Sequence, residues 1–370
     1  MSETGARRIV VKVGTSTLTG VDGRIDRDYL RSLGGQIAAL RCAGERVIVV
    51  TSGAIAAGVE AMGMPERPRE ITGLQAVAAV GQVRIIGQYA QAFGEAGVPV
   101  AQVLLTRSDT AHRQQYLFAC ATLERLLEMD VVPIVNENDT TAVDEIRFGD
   151  NDTLAALVGI MVKADLVMLL TDIEGLYDAD PRTSEDAALV EHVATLTDGL
   201  MAAAGGAGSA AGSGGMATKV AAARILMKAG IPMVVADGRR EGVVAAAAAG
   251  QPVGTYFAGG ESAVAGRKLW IAFGGRPAGT VIVDDGARDA LCLRGKSLLP
   301  AGVVAVSGTF ARDDAIAVAD LHGHVIARGL TSLSSEQLER FKGRRSSEIG
   351  EMAPEFAGTE VVHRDRLVIL

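Results

Sequence analysis

Aromatic residues are scarce in this 370-residue chain: Phe, Trp and Tyr make up 4% of it, and there is a single tryptophan. A core with so few rings has to be filled by aliphatic and small side chains. The 45 glycines and 48% hydrophobic residues suit α/β packing with tight turns. Only three cysteines occur, Cys42, Cys120 and Cys292, widely spaced. That excludes a disulfide framework and any Cys-based metal motif, and it points to reduced thiols. The five histidines, His112, His192, His322, His324 and His363, show neither metal-ligand nor triad spacing. Positive charge falls short of negative, 36 Lys and Arg against 44 Asp and Glu, for a net charge of −8. A general nucleic-acid or membrane-surface binder is usually basic. No apolar run is long enough to span a membrane, since "AALVGIMVKADLVMLL" is interrupted by Lys163 and Asp165. No apolar signal region follows "MSETGARR". A soluble cytoplasmic protein with no membrane partner is the expectation.

What the sequence does have is alternation. "RRIVVKVGTSTLT" reads as a buried strand ending in a turn, and a helix follows over roughly Asp26 to Ala43. "ERVIVVTSGAIAAG" is again strand, turn and helix, and "VPVAQVLLT" is a strand. The amphipathic helix "QQYLFACATLERLLEMD" leads into the strand "VVPIVNEND". "DNDTLAALVGIMVKA" opens on an Asn/Asp cap and continues as helix. "DLVMLLTDIEGLY" is a strand with a polar end, "ATKVAAARILMKAG" a helix, and "IPMVVADG" a strand. Such alternation predicts a three-layer αβα fold around a mostly parallel sheet. Near Gly259 the pattern changes to a linker, and from Gly279 short strands and turns predict a small β-rich domain. The expected boundaries are 1–262, a linker over 263–278, the small domain over 279–358, and a tail over 359–370.

Polar clusters gather after the strands. "VVPIVNENDTTAVDEIRFGDND" starts as an apolar run and ends crowded with Asn136, Asn138, Asp139, Asp150, Asn151 and Asp152. Asn and Asp are common turn residues. In open α/β sheets, however, ligands bind beyond the carboxyl ends of the strands, which is where these residues fall. Lys12 ends the first strand beside Gly and hydroxyl residues that can turn backbone N–H groups toward a phosphate. A lone lysine there is more often a solvated surface charge. "TSGAIAAG" offers a small-residue turn into a helix, suited to a carboxylate or phosphate. "GSGGMATK" is Gly-rich and ends in Lys219, without the spacing of a P-loop. It closes the low-complexity stretch Met201–Gly215, read as a linker or as a mobile phosphate-facing loop. Together these signals suggest a nucleotide with Lys12 and Lys219 near its phosphates.

Read in order, "VVKVGTSTLT", "VTSGAIAAG", "PIVNEND", "FGDND", "LLTDIEGLYDADPR" and "GSGGMATKVAAARI" resemble the amino-acid-kinase family. The likeness is to its branch that phosphorylates glutamate for proline biosynthesis and carries a C-terminal PUA domain, and it covers nearly the whole chain. The "KFGG" start and ACT domains of an aspartokinase are not seen. The resemblance implies ATP-dependent phosphorylation of the γ-carboxylate of L-glutamate, with Mg²⁺. It implies that Lys12 and Lys219 contact the ATP phosphates and that Asp152 orients them. Ser52, Gly53, Asp139 and Asn151 would hold glutamate, with Asn136 close by, and Asp150 would shape the site or its magnesium. Thr171, Asp172 and the segment Ser213, Gly214, Gly215, Met216, Ala217, Thr218 and Lys219 would contact the nucleotide. No residue is assigned as a metal ligand. The family often has Thr where this chain has Ser213, and the hydroxyl is kept. Feedback by L-proline and a homo-oligomer, dimer or tetramer, are also implied.

The chemistry agrees with that family. A glutamate γ-carboxyl has a pKa of about 4.3, so the nucleophile is ionised at neutral pH and needs no general base. Its α-ammonium needs carboxylate and amide acceptors, which "NEND" offers. RNA binding through the PUA-like segment is not favoured: from Gly279 onward there are 11 Lys and Arg against 13 Asp and Glu. Two alternatives stay open on sequence: another small-acid kinase of the same fold, and a PUA-mediated RNA-binding regulatory protein.

Overall fold

The computed structural model describes residues 6–20, 22–106, 109–110, 113–141, 151–179, 184, 186–204, 215–260 and 277–369. The chain divides into two compact units, residues 1–106 with 117–263, and residues 107–116 with 264–370.

The first unit is built on an eight-stranded sheet in the order β3-β4-β2-β1-β5-β7-β8-β6. Its strands are β1 Arg8–Val13, β2 Arg46–Val50, β3 Val100–Leu105, β4 Val132–Glu137, β5 Leu166–Thr171, β6 His192–Val193, β7 Met233–Asp237 and β8 Thr255–Phe257. Every pairing is parallel except β7 with β8. Strands covered on both faces need apolar residues at consecutive positions, and Ile9, Val10 and Val11 are fully buried. At the centre, Lys12 of β1 stands opposite Val50 of β2 on one side and Leu169 of β5 on the other. The chain builds outward from β1 through β2 and later returns to its opposite side as β5, so the order reverses at β1. Ligands bind beyond the strand ends at such a reversal.

The helices of this unit are α1 Thr15–Leu18, α2 Arg27–Cys42, α3 Ala54–Ala61, α4 Ile71–Glu95, α5 Arg113–Glu128, α6 Asn151–Met161, α7 Asp198–Ala204, α8 Met216–Lys228 and α9 Val243–Ala248. In α2 the sequence limits survive as caps. Asp26 accepts from the Tyr29 N–H at the start, and Ala43 closes the end. Leu30, Leu33, Ile37 and Leu40 form its buried stripe. The hydrophobic pattern gave no element between α3 and β3, yet α4 runs for 25 residues there. Its contact with α3 is made of small residues, which mute the periodicity. A Cβ at Gly81 would lie 1.7 Å from the Ala54 carbonyl oxygen, and one at Gly58 would lie 2.0 Å from that of Val77.

The second unit has a five-stranded sheet in the order β10-β9-β11-β12-β13, with strands β9 Gly279–Val283, β10 Val303–Gly308, β11 Ala315–Ala319, β12 Val325–Leu330 and β13 Leu367–Ile369. Its core includes Val281, Val318, Phe341 and Val362. Three short helices that the strand-and-turn reading lacked, α10 Asp285–Cys292, α11 Ser335–Phe341 and α12 Ser346–Met352, lie between the strands. The last dozen residues, expected as a tail, instead supply β13 to the sheet and Val361, Val362 and Leu367 to the core. Most of the expected linker, 263–276, lies outside the described residues. Among the described residues no helix is long and apolar enough to cross a membrane.

Candidate active site

Three helices begin at the carboxyl ends of the central strands. Beyond β2, Thr51 and Ser52 lead to Gly53, whose φ of 91° places it in the left-handed region that glycine tolerates, and α3 starts at Ala54. α6 opens with Asn151 and Asp152. α8 follows Gly215, so Met216, Ala217, Thr218 and Lys219 form its first turn. Helix N-termini carry unsatisfied N–H groups and partial positive charge.

Asp152 is the hub. Lys12 Nζ donates to its Oδ1 at 2.5 Å, and Lys219 Nζ to its Oδ2 at 3.2 Å. Thr218 Oγ1 lies 2.8 Å from Oδ2. Lys12, Lys219 and Asp152 are 5%, 4% and 0% exposed, which disposes of the surface-lysine reading. Burial alone would raise the Asp152 carboxyl. The Lys12 and Lys219 charges, with the bonds from Lys12 and Thr218, outweigh it and hold the group below the usual carboxylate range. Two cations therefore sit side by side in the interior on one shared anion.

Next to this hub lies an amide network. Asn151 Nδ2 donates to the Thr51 carbonyl, to Ser52 Oγ at 3.1 Å and to Asn136 Oδ1 at 2.9 Å. Asn136 Nδ2 donates to Gln82 Oε1 at 3.2 Å, and Gln82 Nε2 donates to the Glu137 carbonyl at 3.0 Å. The network borders a cavity of about 580 Å³ that Ser52, Gly53, Asn136, Asp139 and Asn151 help to line, with Arg24 and Arg67 also on its wall. Asp139, half-buried beyond β4, has its carboxyl pushed up to about 6 by burial, against the pull of Arg67. Thr171 ends β5, and its Oγ1 donates to Asp172 Oδ1 at 3.1 Å.

The residues singled out from the sequence thus gather at the ends of β1, β2, β4 and β5 and at the three helix starts. Asp150, Ser213 and Gly214 lie outside the described residues. Of the stretch Met201–Gly215 read as a linker or loop, residues 201–204 instead end the helix α7, and 205–214 lie outside the described residues. Sequence reasoning missed Gln82, which sits on the unread helix α4, and also Arg24 and Arg67. No motif marks any of the three. Gln82 could have been found only by first recognising α4, and the two arginines read as ordinary exposed charge.

The amino acid kinase family model matches residues 7–237, and the PUA domain model matches residues 279–352. Among curated relatives, the glutamate 5-kinases of Pelobacter propionicus and Geobacter sulfurreducens are each 48% identical to this chain over 364 residues, covering 98% of both sequences. That of Caldanaerobacter subterraneus is 47% identical over 363 residues with the same coverage. A family match over more than half the chain, together with relatives aligned end to end at nearly half identity, means that this chain belongs to the amino acid kinase family, among its glutamate 5-kinases with a PUA domain.

Proposed function

We propose that the cavity beside Asp152 holds L-glutamate and that Lys12 and Lys219 carry the transfer of a phosphoryl group to it. The chain phosphorylates the γ-carboxylate of glutamate with ATP, giving glutamyl 5-phosphate and ADP, the first step of proline biosynthesis. The observation that carries the site assignment is the two buried lysines on one buried carboxylate, opening beside a cavity lined by amides and Asp139.

The roles follow from charge. Glutamate offers its α-ammonium to Asp139 and to the Asn151 side-chain oxygen. Its α-carboxylate meets the N–H groups at the start of α3 around Ser52 and Gly53. A γ-carboxylate oxygen attacks the γ-phosphorus of ATP, the bond from that phosphorus to the bridging oxygen breaks, and ADP leaves with the electron pair. No proton has to move, because the carboxylate is ionised above about pH 4.3. The obstacle is an anion approaching a polyanion. Lys12 and Lys219 supply countercharge, and Asp152 holds both in place before the nucleotide arrives, so little reorganisation is needed. The N-termini of α6 and α8 add partial positive charge, and Gly215–Lys219 with Thr171 and Asp172 take the nucleotide.

Magnesium fits as a companion of the nucleotide. Among the described residues no group of three or more His, Cys, Asp or Glu could cage a metal. Mg²⁺ is commonly held by substrate phosphates with one or two carboxylates. When bound it neutralises phosphate charge. L-proline shares the α-ammonium and α-carboxylate of glutamate, so feedback inhibition would act through the same groups. Catalytic residues within 1–262 and a PUA domain from 279 onward complete the reading, in a cytoplasmic homo-oligomer.

The test is ATP-dependent turnover with L-glutamate and hydroxylamine trapping of the acyl phosphate. Glutamate-dependent hydroxamate is expected. Phosphorylation of another small acid with glutamate inert would overturn the reading.

A further inference from the structure

We infer that Gln82 is a positioning residue for the amino-acid substrate, acting through Asn136 and Asn151 without touching the substrate itself. The inference rests on the glutamate reading of the cavity. Gln82 is 6% exposed and lies on α4, away from the motifs that carry the family likeness. Its side chain spans two neighbouring residues of β4: Oε1 accepts from Asn136 Nδ2, and Nε2 donates to the Glu137 carbonyl. A carbonyl can only accept, so the end of Gln82 facing it must be the NH₂. Oε1 is then fixed toward Asn136, whose own NH₂ must point back at Gln82. That leaves Asn136 Oδ1 to accept from the Glu137 N–H at 2.9 Å and from Asn151 Nδ2.

The chain of orientation ends at the cavity wall. Asn151 Nδ2 is surrounded by acceptors, namely the Thr51 carbonyl, Ser52 Oγ and Asn136 Oδ1. Its donors are consumed inside the protein, and the Asn151 side-chain oxygen is the end left for the cavity. An ammonium group needs an acceptor there; a flipped amide would present a donor and repel it. Gln82 thus helps to decide that the wall beside Ser52 accepts hydrogen bonds. It also ties α4 to the end of β4, whose next residues lead to Asp139.

The test uses the full-length enzyme with Gln82→Met and Gln82→Glu. Met has similar volume and helix propensity but can make neither bond. Glu keeps an acceptor for Asn136 and sets a carboxylate oxygen against the Glu137 carbonyl. Both variants are expected to raise the glutamate KM by about tenfold, as for one lost hydrogen bond to a charged group. The ATP KM and kcat should move much less. A merely structural glutamine would lower the melting temperature and the active fraction, hence kcat, and leave the glutamate KM alone. Asn151→Ala is the control for the underlying reading. If it raises the glutamate KM while folded Gln82 variants do not, the role of Gln82 is overturned and the cavity assignment stands. If none of the three shifts it, both fail.

Discussion

Asp152 shows how one buried carboxylate can prepare a site for an anionic reaction. Two ammonium groups would not stay together in the interior without it, and its lowered pKa records that dependence. Lys219 is proposed to meet charge that develops on the phosphoryl group, so Lys219→Met should lower kcat by about 10²–10³. Lys12 and Thr218 still satisfy Asp152 in that variant, so folding should be little affected. Near-wild-type turnover would remove Lys219 from the mechanism. Asp139 makes the opposite case, a carboxyl raised to about 6 because burial dominates. The folded state then holds that proton more tightly than the unfolded chain. Its contribution to stability is therefore greatest below the ordinary carboxylate pKa and is lost as pH rises toward 6. Substrate binding runs the other way, because only the ionised group can accept an ammonium. The glutamate KM should fall as pH rises through about 6 and then level off, while Asp139→Asn should give a raised KM that is flat across the same window. An equal pH dependence in wild type and variant would show that Asp139 does not read the amine. Pattern and spacing alone show these side chains only as polar residues placed after apolar runs. The family resemblance added their roles, including Asp152 as the organiser of the two lysines, but not the amide network through Gln82. Which of them meet, and which amide faces which, depends on elements far apart in the chain.

At the scale of elements, legibility followed hydrophobic contrast. β1, β2, β4, β5 and β7 are consecutive apolar runs with polar ends and could be read directly; α2 declared itself through an Asp cap and a Leu/Ile stripe. α4 could not be read in this way, because its contact with α3 is made by Gly and Ala rather than by large side chains. Close approach, not apolar bulk, joins the two helices, and it matters to the site because α3 begins at Ala54 beside Gly53. Gly81→Ala places a methyl 1.7 Å from the Ala54 carbonyl oxygen, and the obstruction is backbone that no rotamer change can relieve. Overpacking of this kind typically costs about 1–3 kcal/mol, a fall of several degrees in melting temperature for a domain of this size. The start of α3 must shift, so the glutamate KM should rise as well. A variant with unchanged melting temperature and unchanged KM would mean that the helices part without disturbing the cavity. The helices of the second unit escaped the sequence reading for a different reason. α10, α11 and α12 are seven or eight residues long, too short for periodicity to separate them from turns.

For the molecule as a whole, the question is whether catalysis needs both units. Among the described residues, a buried cluster of the first unit runs from Ile9 to Val253 and one of the second from Val281 to Leu367, with no residue in common. Among the described residues no strand is shared, since β1–β8 form one sheet and β9–β13 the other. Every described residue assigned to glutamate or ATP, from Lys12 to Lys219, lies on the first sheet, in the turns at its strand ends or on the helices that start there. A unit with its own core and its own sheet meets the physical conditions for folding alone. A chain ending at Ala278 is therefore expected to stay soluble, to keep an α/β circular dichroism spectrum and to form glutamyl phosphate with a glutamate KM close to that of the full chain. The segment 107–116, which groups with the second unit and includes the first residues of α5, stays in the truncated chain. Nothing proposed for catalysis depends on it. If the shortened protein folds but shows no glutamate-dependent turnover, the PUA domain belongs to the catalytic unit. If it fails to fold, the first core is not self-sufficient, and the division drawn at 262 and 279 is wrong.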